Sequence, residues 1–193
     1  MKPFLTTLFL CAACWIFQGW IFQASAAEPT AADFKQFQEA KTKAEKGDAK
    51  AQLLVGLMYA YGGGGVVKDE AEAVKWYRKS AEQGNAYAQT NLGFMYIYGR
   101  GVPKDEVEAV KWFRKAAEQG DADAQLTLGI RYFIGGGVVK DEVVAYQWFL
   151  LAGAQGDERA QKGIPAIERG LTPSQRAEGQ RLAREWKPQG KKP

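Results

Sequence analysis

Any chemistry performed by this chain would have to come from carboxylates. The side chains best placed for it are two adjacent acid pairs, Asp69-Glu70 and Asp105-Glu106. Two carboxyl groups in different surroundings can divide general-acid and general-base work, as in hydrolases of glycans. The 193 residues include no histidine, so the commonest general base and metal ligand is missing. Ser-His-Asp and Cys-His arrangements are therefore excluded, and neither G-x-S-x-G nor S-x-x-K occurs. Cys11 and Cys14 are the only thiols. The tract Gly62-Gly63-Gly64-Gly65 lacks the Gly-Lys-Ser/Thr of a phosphate-binding loop and reads as a connector. Each acid pair precedes an apolar-periodic segment, where capping and the helix macrodipole are sufficient reasons for it. The aromatic pairs Trp76-Tyr77, Trp112-Phe113 and Trp148-Phe149 could form stacking platforms. Their recurrence at one helical position places them in a core instead.

These residues sit in a repeat. Ala44-Glu45-Lys46-Gly47-Asp48 recurs as Ala81-Glu82-Gln83-Gly84-Asn85 and Ala117-Glu118-Gln119-Gly120-Asp121, with a worn copy at Gly153-Ala154-Gln155-Gly156-Asp157. The glycine-to-glycine spacings are 37, 36 and 36 residues, and the extra residue falls in the Gly62–Gly65 tract. Each unit carries two helical periodicities. In helix A, Ala88, Leu92 and Tyr96 share a face; in helix B, Ala109, Trp112, Phe113 and Ala116 do. Asp69, Asp105 and Asp141 are placed to cap the B helices, and Glu72 and Glu108, three residues on, are placed to complete capping boxes. Gly47, Gly84, Gly120 and Gly156 end the B helices, and Asp48, Asn85 and Asp121 begin the next A helices. Gly56, Gly93 and Gly129 lie inside A helices at a cost of about 1 kcal/mol each, so close approach of helix A to helix B is expected there.

One such pair cannot bury its own apolar face, but stacked copies can. The fold class expected is all-α, a right-handed superhelical α-solenoid of antiparallel helix pairs. Residues 28–46, with Phe34, Phe37, Ala40 and Ala44 at helical spacing, suit an N-terminal capping helix. Repeats fill 47–170, three full and a fourth degenerate. Thr172-Pro173 opens a C-terminal capping helix within 171–187 whose Leu182 and Trp186 face the last repeat, and 188–193 form a disordered tail.

The run AEQGNAYAQTNLGFMYIYGRGVPKDEVEAVKWFRKA, residues 81–116, resembles the Sel-one-like repeat, a relative of the tetratricopeptide repeat. The matching positions include Gly84, Ala88, Leu92, Gly93, Tyr96, Gly99, Gly101, Asp105, Ala109, Trp112 and Ala116. Val67 and Val139 depart from the loop proline seen at Pro103, and Pro165 stands where an A-helix glycine is expected. The resemblance implies an adaptor or scaffold that binds proteins or peptides, and no catalytic, metal or cofactor residue is expected from the motifs in the sequence. Cysteine-rich exported relatives have been linked to cell-wall or β-lactam chemistry, but their paired-cysteine framework is missing here.

Residues 1–27 read as an export signal. Lys2 supplies the positive start, Phe4 to Phe22 is mostly apolar, and Ala24-Ser25-Ala26 offers the cleavage pattern. Cleavage after Ala26 or Ala27 would release a periplasmic or secreted chain without a thiol; an uncleaved segment would anchor it to the membrane. The net charge is +4. Residues 28–157 hold 16 basic and 18 acidic side chains, which excludes a basic nucleic-acid groove, whereas residues 158–193 hold 9 and 4. The expected partner is a protein or peptide of the cell envelope.

In helix-pair solenoids the A helices tend to line the concave face. The stripe Tyr87, Asn91, Phe94, Tyr98 is matched by Lys50, Leu54, Leu57, Tyr61 and by Asp123, Thr127, Ile130, Ile134. Candidate partner-binding residues are therefore Leu54, Leu57, Tyr61, Tyr87, Asn91, Phe94, Tyr98, Thr127 and Ile130. Leu57, Phe94 and Ile130 have packing between repeats as an equal reading. Two further readings remain: an envelope hydrolase using carboxylates on wall glycan or peptide, and a membrane-tethered regulator of an envelope complex.

Overall fold

A computed structural model describes residues 30–189; the expected export signal at 1–27 and the last four residues lie outside them. Nine helices and no strand occur among the described residues: α1 (Ala31–Glu45), α2 (Ala49–Tyr61), α3 (Glu70–Glu82), α4 (Ala86–Tyr98), α5 (Glu106–Glu118), α6 (Ala122–Ile134), α7 (Glu142–Ala154), α8 (Glu158–Gly170) and α9 (Pro173–Glu185). Each helix packs on the next from α1 to α8, and the pairs α2–α3, α4–α5 and α6–α7 are the tightest. This is the helix-pair solenoid that the periodicity demands. After α8 the rule changes. Pro165 stands inside α8, and α9 lies on α7, where a Cβ on Gly179 would come within 2.6 Å of the Tyr146 ring. No described helix is long and apolar enough to cross a membrane.

The core follows from the B-helix aromatics. Trp76, Trp112, Trp148, Tyr77, Phe113 and Phe149 are all buried. The A-helix glycines exist to admit the second member of each pair. A Cβ on Gly56 would lie 2.6 Å from the Tyr77 ring, on Gly93 2.7 Å from Phe113, and on Gly129 2.7 Å from Phe149. In α1, Phe37, Ala40 and Ala44 are buried against α2, while Phe34 stays half-exposed over Gly65. At the other end Trp186 meets Trp148 edge-on at 6.3 Å, and the Gln189 N–H donates to the carbonyl of Glu118 at 2.8 Å. Residues 187–189 thus run back toward the end of α5.

The caps depart from expectation in one respect. The side chains of Asp69 and Asp105 accept the N–H groups of Glu72 and Glu108, as a box requires. The return bond is not made. The N–H of Asp69 is already donated to the Tyr59 carbonyl at 2.8 Å, and that of Asp105 to Tyr96 at 3.0 Å. Glu72 and Glu108 turn instead to Lys75 and Lys111. Asp141 repeats the pattern with Tyr132, which explains why Val144 is tolerated at the box position. The closing carbonyl comes from the preceding A helix, a long-range partner no local motif encodes.

A glutamine in each A helix, buried in the first three, joins neighbouring units. Gln52, Gln89, Gln125 and Gln161 donate to the carbonyls of Ala44, Ala81, Ala117 and Gly153, at 3.0, 3.0, 3.1 and 2.9 Å. The first three also accept from Gln83, Gln119 and Gln155, the C-cap residues of their own B helices. Gln89→Leu is expected to cost about 1–3 kcal/mol, because it removes two inter-helix hydrogen bonds at a buried position, one to the Ala81 carbonyl and one from the Gln119 amide. Urea unfolding followed by circular dichroism measures this.

Asp121 is the A-helix cap with an elevated pKa. Partial burial pushes its carboxyl up, while the Ala124 N–H and the Thr90 hydroxyl pull it back down. The folded chain therefore holds this proton more tightly than the unfolded one. The group's contribution is complete below the unfolded pKa and is lost as pH rises through the folded one. Asn85 fills the equivalent cap one repeat earlier with a neutral acceptor. Asp121→Asn is thus expected to raise Tm at pH 7 and to leave it nearly unchanged at about pH 3, where both states are largely protonated; thermal melts at the two pH values decide it.

Candidate binding face on the A helices

The acid pairs need their own account first. Glu70 stands at the first turn of α3, where Lys68 and Arg100 donate to it at 2.8 Å; both cations hold its carboxyl below the usual range. Lys104 does the same for Glu106. A general acid needs the opposite shift, produced by burial without a cation. These carboxylates cap and pair. Among the described residues, no three or more His, Cys, Asp or Glu side chains come together to hold a metal ion.

The outward face of the A helices is different in character. Tyr61 and Tyr98 occupy the same register position at the ends of α2 and α4 and are 72% and 67% exposed, and Tyr87, at the start of α4, is 67% exposed. Leu54 and Ile130 are also exposed. Leu57 and Phe94 are half-buried and packed on the cores beneath them; Phe94 stacks on Tyr98 at 6.3 Å and meets Phe113 edge-on at 5.0 Å. Thr127 is buried at 8% exposure, so it offers a partner almost no surface. Its short branch does not rise above neighbours that Leu54 clears from the equivalent position.

Four of the nine candidates come together. Tyr61, Asn91, Phe94 and Tyr98 line a cleft of about 280 Å³ between α2 and α4, whose remaining walls include Tyr77 and Arg100. Leu54 belongs to a second cleft of about 310 Å³ beside α1, with Gln36, Glu39, Lys43 and Lys50. Leu57, Tyr87, Thr127 and Ile130 line neither cleft. Sequence reasoning missed Arg100, Tyr77 and Phe133. Arg100 sits in the Gly99-Arg100-Gly101 loop, the counterpart of the Gly62–Gly65 connector. Tyr77 has the spacing of a core residue. Phe133 is exposed one residue ahead of the stripe, with Lys140 5.7 Å above its ring.

A family profile described as the Sel1 repeat matches residues 49–85, 86–121 and 122–157. No curated protein matches the chain. The Sel1 repeat protein from Oxalobacter formigenes is 40% identical over 68% of this chain and 98% of its own, with a TM-score of 0.63. The c5321 antigen of uropathogenic Escherichia coli, which displays an SLR fold, is 31% identical over 89% of this chain with a TM-score of 0.52; the chain spans 43% of that protein's length. Cysteine rich protein B of Helicobacter pylori is 25% identical over 70% of this chain and 98% of its own, with a TM-score of 0.57. Three consecutive matches, together with the helix pairs, tryptophan core and glycine seats described above, make this chain a member of the Sel1 repeat family, whose fold is typically a protein–protein interaction scaffold and generally non-catalytic.

Proposed function

We propose that this chain is an exported, non-catalytic adaptor that binds a protein or peptide of the cell envelope across the outward faces of α2, α4 and α6. The observation that carries the reading is the exposure of Tyr61, Tyr87 and Tyr98 on adjacent A helices, next to a cleft. Tyrosine is enriched at interface centres because its ring contributes area and its hydroxyl a hydrogen bond at little entropic cost. Export rests on the sequence of residues 1–27.

The test uses the mature chain and a Tyr61/Tyr87/Tyr98 triple alanine variant, whose three sites are too exposed for the fold to depend on them. Both are cross-linked in envelope fractions. The adaptor reading expects one or more wild-type partners to fall by at least about 30-fold, the effect of losing a hot spot worth about 2 kcal/mol. An unchanged partner set with an unchanged melting curve overturns it. Intact mass of the exported protein tests the leader: loss of the first 26 or 27 residues is expected, and a full-length mass would favour the tethered form.

A further inference from the structure

Tyr77, Phe113 and Phe149 occupy one position in successive B helices, and each ring is seated against an A-helix glycine. The seat needs only the ring, as the two phenylalanines demonstrate. Tyr77 alone adds a hydroxyl. The residue is 1% exposed, yet it lines the α2–α4 cleft, and its phenol has no hydrogen-bond partner among the described residues. Burial raises its pKa, the Tyr61 phenol adds to the rise, and Arg100 opposes it, so the group remains a proton donor at physiological pH. Two more polar groups face the same space. Asn91 donates one of its two amide N–H groups to the Tyr87 carbonyl at 2.8 Å, leaving the second as a donor. Arg100 and Lys68 both contact one oxygen of Glu70, so two cations share one carboxylate and a positive charge is left over at the rim.

We infer that the α2–α4 cleft is a subsite for an acidic side chain of an extended peptide, whose carboxylate accepts from the Tyr77 hydroxyl and the Arg100 guanidinium while its apolar neighbours lie on Tyr61 and Tyr98. An interior residue fits better than a chain end, because exposed aromatic rings flank the cleft from both helices. The inference rests on the adaptor reading and names the chemistry of one contact within it.

The probe is the capped peptide acetyl-Leu-Glu-Leu-amide, titrated into the isotope-labelled mature chain and followed by amide and arginine side-chain chemical shifts. Saturable shifts confined to the ends of α2 and α4, to α3 around Tyr77 and to Arg100 are expected. Replacing Glu by Gln in the peptide, or Tyr77→Phe in the protein, should each weaken binding about tenfold, the usual effect of removing a hydrogen bond to a charged group. Tyr77→Phe should leave the melting curve unchanged, since phenylalanine already fills the other two seats; Arg100→Gln is the second variant and should also weaken binding. Equal binding of the Gln peptide would show an apolar groove without a carboxylate site and overturn the inference, as would undiminished binding to Tyr77→Phe or an absence of saturable shifts. If envelope partners are still captured by Tyr77→Phe and Arg100→Gln at wild-type levels, the adaptor reading stands and this subsite falls.

Discussion

Phe113→Ala is expected to remove about 3–5 kcal/mol of stability, the range for deleting a fully buried aromatic ring. Phe113 is 0% exposed, and its ring fills the space that Gly93 leaves open in α4. The glycine has no side chain with which to fill the resulting void. The helices could close it only by sliding, which the bond from the Gln119 amide at the end of α5 to the Gln89 oxygen on α4 resists. The loss falls in the middle repeat. In a quasi-one-dimensional array each unit is stabilised by its neighbours, so the transition should broaden as well as shift. Urea unfolding monitored at 222 nm and by tryptophan fluorescence tests both. A loss below about 1 kcal/mol, the range of an ordinary surface change, would show that the ring is not the shared filler between α4 and α5.

The second large effect is expected at Gly101, in the loop between α4 and α5. It adopts φ +67°, and a Cβ there would lie 2.2 Å from the Glu70 carbonyl oxygen at the start of α3. The obstacle is main chain, so no rotamer change relieves it. Gly101→Ala should cost at least about 3 kcal/mol, combining the left-handed penalty with displacement of the preceding repeat. Gly84→Ala is the matched control. Its φ is +88°, but nothing lies within 4 Å of a Cβ there, so only the conformational term of about 1–2 kcal/mol applies. Equal losses in the two variants would mean that the loop does not bear on its neighbour.

The contrast between these glycines shows what the sequence makes legible. Gly84 reads as a helix end and Gly101 as a loop position of the repeat, and both fall where expected. The B-helix aromatics and the A-helix glycines were recognisable because burial follows a fixed period along one element. Contacts between elements were not. Gln52, Gln89 and Gln125 interrupt apolar stretches and look like surface residues, yet each is buried with a donor and an acceptor on two other helices. Glu72 and Glu108 match a local box whose second bond is pre-empted from a distant turn. On the candidate face, Tyr61, Asn91, Phe94 and Tyr98 were identifiable from register alone. The hydroxyl of Tyr77 was not, because a core position gives no reason to ask which way a polar atom points.

The glutamine relay also bears on how such a chain changes length. Every link uses the same two atoms on the same two helix positions, so excising residues 85–120 would hand the Ala81 carbonyl from Gln89 to Gln125 and leave Gln83 on Gln52. No new complementarity has to arise at the junction. Gene duplication or loss of one whole unit would therefore yield a foldable product in a single step, whereas insertion of a few residues within a helix would break the register on both sides. Evolution of this surface is consequently modular: its reach grows by unit steps, and its specificity by substitutions at outward positions that the relay never touches.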